Sequence, residues 1–370
     1  MKREEVLREL KKRRKREISY SSGRVLCSMC TTPLEISKRA YSLFFDTNLG
    51  DPRLFRETAE IEREALELIG ELVSLREPHG NIVSGGTEAN ITAVYVSREI
   101  TKKRKILIPK SAHFSFEKAK NMLNMERVDV KLDENYTMNT DDLSEKISKD
   151  FALVVAVAGS TELGTIDNIP RVAEICEDYG IRLHVDAAFG GFVIPFLDKK
   201  HLFDFSIEQV SSMTIDPHKM ACSQIPAGCI LFREDDEKYI SVKTPYLLCE
   251  SQNTILGTRP GASAASVWAI LKYLGKDGLR KIVKRCMRNT EIFVRFLKKS
   301  DLFELVTEPQ MNIVGFRAKR GFKRWITERG WIFSEIKELN ALRAVFMPHI
   351  KRKDVYALIE DMKIYGEMNG

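Results

Sequence analysis

From about residue 105 the hydrophobic positions fall into short runs separated by stretches of helical period. Ile106–Ile108, Arg127–Val130, Leu153–Val157, Leu183–Val185, Met213–Ile215 and Gly228–Phe232 predict strands. Between them, 115–125, 140–149 and 170–179 predict helices, with Thr140 or Asp141 capping the second and Pro170 opening the third. Such alternation predicts an α/β domain with a mostly parallel sheet. Upstream, residues 1–22 read as a helix running into a turn, and Glu35–Phe45 as helical. Thr58–Leu75 is a strong helix with Ile61, Ala65, Leu68, Ile69 and Leu72 on one face. From Ala264 the pattern changes. A long helix near 278–299, strands at Phe303–Val306, Asn312–Arg317 and Ala344–Phe346, and helices near 323–329 and from Lys353 predict a smaller α+β unit. The expected division is an N-terminal helical segment over 1–50, a large domain over 51–270 and a small C-terminal domain over 271–370.

Composition adds little to that outline. Apolar residues make up 44% and charged residues 30% of the 370, the balance of a soluble globular protein. The longest apolar run, Phe151–Ala158, is too short to span a bilayer, and the first residues carry no hydrophobic signal region. Seven scattered cysteines without scaffold spacing predict reduced thiols and a cytoplasmic home. Cys27-x-x-Cys30 is a lone pair, so no metal is expected. The net charge is +7, of which residues 1–17 supply +5 through nine Lys/Arg against four Glu. No aromatic residues interleave that basic run. A solvated helix is expected there, with no nucleic-acid or membrane partner.

The chemistry gathers at strand ends. Ser211–Ile215 stops at Asp216-Pro217-His218-Lys219. Leu183–Val185 runs into Asp186-Ala187-Ala188-Phe189-Gly190-Gly191, and Leu153–Val157 toward Gly159-Ser160-Thr161-Glu162-Leu163-Gly164-Thr165. Ligands of open α/β sheets bind beyond the carboxyl ends of the strands. Ahead of a predicted helix, Ser84-Gly85-Gly86-Thr87 offers a tight turn, a cap at Thr87 and free N–H groups suited to a phosphate. Burial of Lys219 favours its neutral amine, which attacks carbonyls. A phosphate nest, a buried carboxylate and an imine-forming lysine together fit pyridoxal 5'-phosphate.

These stretches resemble the group II pyridoxal-phosphate-dependent amino-acid decarboxylases of fold type I, most closely their archaeal L-tyrosine/L-aspartate branch. The resemblance also rests on Asn48-Leu49-Gly50-Asp51-Pro52, Ser84–Asn90, Gly257-Thr258-Arg259, and Leu342-Arg343 leading to Met347-Pro348-His349. It implies an aspartate-aminotransferase-like fold whose large domain binds the cofactor. Lys219 would form the Schiff base and move protons, Asp186 would pair with the pyridine nitrogen, and His113 would stack on one ring face. Ala188 would touch the other face. Gly86, Thr87 and His218 would hold the phosphate, and Thr161 would bond near the ring. Tyr246, on a mobile loop, would protonate the α-carbon, and Arg343 would bind a substrate carboxylate. His184 reads as a buried strand residue and is assigned no role.

Two positions depart from the branch: Leu34 stands for a histidine in a segment that can line the substrate pocket, and Ala221 for a glycine. The implied reaction is decarboxylation of an L-amino acid. Aspartate to β-alanine, for coenzyme A biosynthesis, is the first choice; tyrosine to tyramine and glutamate to GABA are alternatives. A homodimer with its active site at the subunit interface is implied. The competing readings are a carbon–carbon lyase resembling sphingosine-phosphate lyase and a non-catalytic nucleic-acid-binding relic.

Overall fold

The computed structural model describes residues 2–369. The N-terminal part holds helices α1 (Arg3–Arg14), α2 (Glu35–Leu43) and α3 (Arg56–Gly70). The third stops five residues before its predicted end. At Gly70 the chain turns back, with Leu75 N–H bonded to the Gly70 carbonyl and Ser74 at φ +61°. The large unit then runs β1 (His79–Val83), α4 (Gly86–Thr101), β2 (Lys105–Pro109), α5 (Ser115–Leu123) and β3 (Glu126–Val130). It continues through α6 (Thr140–Lys146), β4 (Phe151–Val157), α7 (Ile169–Tyr179), β5 (Arg182–Asp186), β6 (Val210–Ile215) and β7 (Gly228–Phe232). A hairpin of β8 (Val242–Lys243) and β9 (Ser251–Gln252) follows, then α8 (Gly261–Leu297), which breaks at Gly275. The C-terminal part contains β10 (Phe303–Leu305), β11 (Ile313–Ala318), α9 (Phe322–Glu328), β12 (Ser334–Ile336), β13 (Ala341–Val345) and α10 (Arg352–Asn369).

Seven strands form one sheet in the order β1-β7-β6-β5-β4-β2-β3, and only β7 runs against its neighbours. Both faces are covered, which is why β4 reads as an unbroken apolar run. On one face Ile91 and Val94 of α4 and Phe116 and Ala119 of α5 pack on Ile106, Ile108, Leu153 and Val155. On the other, α3, α7 and α8 close over Leu107, Val154, Ala156, Leu183, Val185, Met213 and Ile215. The period-two split of each strand therefore assigns alternate residues to two cores. The C-terminal part is a four-stranded antiparallel sheet, β10-β11-β13-β12, backed by an aromatic cluster with Phe293, Phe316, Phe322 and Phe346. Leu26 is buried in that same cluster, and Leu26 N–H and carbonyl bond Ile332 and Val345.

β1 was not among the predicted strands. Its sequence, His79-Gly80-Asn81-Ile82-Val83, opens with turn-forming residues. The strand exists because Gly80, at φ +135°, brings its backbone against the Ile230 carbonyl of β7; a Cβ there would sit 2.0 Å from that oxygen. A buried ion pair then fixes the strand. Arg259 bonds both carboxylate oxygens of Glu62 and, at 2.8 Å, the Ile82 carbonyl, while Glu62 accepts the Ile82 N–H at 2.8 Å. Because Gly85 and Gly86 follow β1 after Ser84 alone, this pair positions the Gly-Gly turn.

Candidate active site

The carboxyl ends of β4, β5 and β6 and the N-terminus of α4 surround a cavity of about 310 Å³. Its lining brings together Gly86, Thr87, His113, Thr161, Asp186, Ala188, His218 and Lys219, eight of the ten candidates from the sequence. Tyr246 and Arg343 lie elsewhere. Tyr246 is 85% exposed at the tip of the β8–β9 hairpin. Arg343, on β13, donates to the Thr161 and Cys27 carbonyls and to Ser334 Oγ. It therefore holds the backbone of the Thr161 loop from outside the cavity. Leu34 packs against the main core, and the N-terminal segment reaches the cavity through Met29 instead.

The nest forms as glycine chemistry requires. Gly85 has φ +153°, and the helix starts at Gly86 with Gly85 as its cap. Thr87 is thus the second helical residue and does not cap it, contrary to expectation. The first helical N–H groups have no intrahelical partner and carry the positive end of the helix dipole. Space is tight here: a Cβ on Gly228 of β7 would meet Gly85 Cα at 2.4 Å. Two neighbouring oxygens, Ser111 Oγ and Asp216 Oδ1, are buried without a hydrogen-bond partner, and both residues line the cavity.

Lys219 Nζ lies 2.9 Å from Asp216 Oδ2. Burial pulls the lysine's pKa down, but Asp216, with Asp186 behind it, outweighs burial and the pKa rises above the ordinary lysine value. The expectation of an amine neutralised by burial is therefore corrected: the carboxylate three residues earlier keeps it an ammonium. His113 behaves oppositely. Burial lowers its pKa against the raising influence of Asp186, so the ring is neutral near pH 7. The Ser115 N–H donates to His113 Nδ1 at 3.2 Å, leaving the proton on Nε2. His218 Nδ1 donates to the Ala227 carbonyl at 2.5 Å.

Asp186 is gripped by a network that the sequence did not disclose. Asn90 Nδ2 donates to Asp186 Oδ2 at 2.9 Å, and the Ala188 N–H donates to Oδ1 at 3.1 Å. Asn90 Oδ1 accepts from Thr214 Oγ1 at 2.7 Å and from His184 Nε2 at 3.1 Å, which fixes which end of the amide faces Asp186. His184 Nδ1 meets Ser212 Oγ at 2.9 Å, and burial drives its pKa down to about 3. His184 is thus a neutral strut beneath the carboxylate. The available signal for Asn90 was a polar residue between Ala89 and Ile91 on an otherwise buried helical turn.

The pyridoxal-dependent decarboxylase conserved domain matches residues 89–319, well over half of the chain. The chain belongs to the pyridoxal-dependent decarboxylase family. It is 43% identical over 365 residues to a probable L-aspartate decarboxylase of Archaeoglobus fulgidus, covering 97% of this chain and 98% of that one. It is 44% identical over 371 residues to an L-aspartate/L-glutamate decarboxylase of Pyrococcus horikoshii, covering 97% and 96%. Among solved structures, a sphingosine-1-phosphate lyase of Burkholderia pseudomallei superposes with a TM-score of 0.93. That match covers 99% of this chain and 91% of the other at 22% identity, a likeness of fold alone. The protein is a pyridoxal-phosphate-dependent decarboxylase of fold type I, with the mostly parallel sheet and smaller C-terminal part expected.

The residues present fit this family's cofactor. The nest of Gly86 and Thr87, with the unpartnered Ser111 hydroxyl, suits a phosphate ester. The doubly hydrogen-bonded Asp186 suits a protonated ring nitrogen, and the Lys219 amine suits an aldehyde. Ala188 keeps the cavity floor thin, since a Cβ built on Gly86 already comes within 3.3 Å of the Ala188 methyl.

Proposed function

We propose that this decarboxylase acts on L-aspartate, releasing carbon dioxide and β-alanine. The observation that carries the choice is the size of the cavity. At about 310 Å³ it stands at the small end of ligand pockets, and it must hold both cofactor and substrate. A four-carbon acid fits what remains better than a phenol ring does. The aspartate activity in the names of both archaeal relatives points the same way.

Bound pyridoxal phosphate supplies a protonated ring that accepts the electron pair left at the substrate α-carbon. The chain does the rest. Asp186, locked by Asn90 and the Ala188 N–H, holds its negative charge against the ring nitrogen and keeps it protonated. Neutral His113 offers a flat face and an Nε2 proton without adding a second cation beside Lys219. Gly86, Thr87 and His218 hold the phosphate, and Thr161 bonds near the ring. Lys219, once its nitrogen is displaced by the substrate amine, is positioned to hold and return a proton. Arg343 lies outside the cavity, spending three N–H groups on Thr161, Cys27 and Ser334, and in our reading it would turn its two remaining N–H groups to the substrate's distal carboxylate only by shifting toward the cavity when substrate binds.

We assign α-carbon protonation to Tyr246, reaching the site of a second copy of the chain. Leu54, Tyr246 and Leu248 stand 60%, 85% and 58% exposed, and the Arg53 guanidinium ties the Leu54 turn to the Leu248 carbonyl at 3.1 Å. Such an apolar patch supports a homodimer with the hairpin at its interface. All seven cysteines are free, which supports a reducing, cytoplasmic setting, and among the described residues no helix is long and apolar enough to cross a membrane. The exposed basic helix α1 bears on neither reaction nor site. Identification of the amine formed from aspartate, glutamate and tyrosine by mass spectrometry tests the proposal. β-Alanine should dominate; tyramine as the main product would overturn the choice of substrate.

A further inference from the structure

Asp216 is an anomaly in a site built for an anion. Its side chain is almost fully buried and lies against the first residue of α4: a Cβ on Gly86 would fall 2.8 Å from Oδ2 and 3.3 Å from Oδ1. Oδ2 is neutralised by Lys219 at 2.9 Å. Oδ1 has no partner at all. A buried carboxylate oxygen wants a donor, and a phosphate dianion arriving at the same helix N-terminus brings none. Lys219 offers one positive charge against a carboxylate and an incoming dianion, and a proton shared between the two anions relieves the repulsion that remains.

We propose that Asp216 and the cofactor phosphate share one proton, taken up from solvent on loading, which links Asp216 Oδ1 to a phosphate oxygen. The proposal rests on the cofactor reading above and concerns only how the phosphate is accepted. No covalent bond changes in this step: one solvated proton is consumed, and one O–H···O bond forms in place of a like-charge contact. The effect is a built-in pH dependence of cofactor retention, strong at neutral pH and weakening as pH rises.

The other titratable groups around Asp216 do not substitute for it. Lys219, from the turn after β6, stays an ammonium well above neutral pH. His218 Nε2 stands 3.9 Å away, at the outer edge of an ion-pair contact, with its other ring nitrogen committed to the Ala227 carbonyl. His113, from the loop before α5, is neutral near pH 7 because burial lowers its pKa. Cys30, from the N-terminal segment, and Cys229, on β7, are both pushed above the ordinary thiol range by burial. Asp186, at the end of β5, faces Lys219 from the other side and is satisfied by Asn90 and Ala188. Between pH 7.5 and 9, above the ordinary histidine range, Asp216 is the group whose proton should follow the ligand.

The test uses pyridoxine 5'-phosphate, which has the ring and phosphate but no aldehyde, so imine formation does not enter. Its dissociation constant is measured by calorimetry for the full chain and for Asp216→Asn at pH 7.5, 8.25 and 9. Titration of the ligand itself is common to both proteins and cancels in the ratio. The wild-type to variant ratio should rise about tenfold per pH unit, the signature of one proton. Calorimetry of the wild type alone, in two buffers of different ionisation enthalpy, should give about one more proton taken up than with pyridoxine lacking the phosphate. The same measurement on His218→Gln should keep that extra proton, which assigns it to Asp216 even if the Asp216→Asn variant fails to fold. Parallel pH profiles, or no extra proton, would overturn the role of Asp216 and leave the cofactor reading intact. No binding of the probe by either protein would overturn the cofactor reading itself.

Discussion

Replacing Asn90 with Ala removes the clamp on Asp186 while keeping Asp186, His113 and Lys219 themselves in the sequence. Four hydrogen bonds are lost: to Asp186 Oδ2 and Ser115 Oγ, both at 2.9 Å, and from Thr214 and His184. The bond to the carboxylate is charge-assisted and is worth about 1.5–3 kcal/mol. The Ser115 hydroxyl, left buried, adds about 1 kcal/mol. Thr214 Oγ1 and His184 Nε2 already lie 3.3 Å apart and pair with each other, so they add little. The expected loss is therefore about 3 kcal/mol, read as a fall in the urea midpoint followed by circular dichroism. Asp186, held by the Ala188 N–H alone, should also lose its fixed orientation, and cofactor affinity should drop at least tenfold. Asn90→Asp is the sharper variant. It restores an acceptor for Thr214 and His184 but sets a second carboxylate against Asp186, and it should bind the cofactor worse than the alanine form. A loss under about 1 kcal/mol with unchanged cofactor affinity in Asn90→Ala would refute the claim that this amide holds the site together.

Arg259→Met strands Glu62 in the core and should cost about 3–5 kcal/mol, whereas the Glu62→Met/Arg259→Met double variant should lose less; equal losses would deny the pair its role in fixing β1. His184 has a folded pKa of about 3 against about 6.5 in an unfolded chain, so the unfolded state alone binds its proton as pH falls. His184 alone should thus lower stability by about 1.4 kcal/mol per pH unit between pH 6 and 4, read in urea titrations as the difference between wild type and His184→Gln at each pH. Asp167 works in the opposite sense. Burial raises its pKa to about 6, against the two backbone N–H groups of Met138 and Val157, so its protonation favours the folded state as pH drops below 6 and cancels most of the His184 slope in the wild type between pH 6 and 4. Tyr246→Phe should keep cofactor uptake and slow amine formation about 10²–10⁴-fold. Mixing it with Lys219→Ala should restore activity in hybrid dimers, and a fully active Tyr246→Phe would end the proton-donor assignment.

Much of this could be read from the chain because parallel sheets advertise themselves. The strand carrying Val154 is apolar throughout because both its faces are covered, and the runs through Leu183 and Met213 end at Asp186 and Asp216, both in the cavity lining. The eight cavity residues came from three strand ends, the loop before α5 and one Gly-Gly turn, all features of local sequence. Position across the fold was harder. Asn90 looks like any polar helix residue until β5 and β6 bring His184 and Thr214 under it. The ion pair of Lys219 with Asp216 spans only three residues, yet its sign depended on how deeply both are buried. β1 was hidden by Gly80, whose backbone conformation only the neighbouring strand explains. α8 kinks at Gly275, whose non-helical backbone parts it into two helices, and the second of them matches the long helix expected near 278–299.

The central claim is that the amine of Lys219 anchors the cofactor in the cavity between β6 and α4. Borohydride treatment of the pyridoxal-phosphate-loaded protein, followed by proteolysis and mass spectrometry, measures it directly. The account predicts one reduced pyridoxyl phosphate adduct, on the peptide containing His218 and Lys219, and its absence in Lys219→Ala together with loss of the visible chromophore. An adduct on another lysine, or a chromophore that persists in the variant, would contradict it.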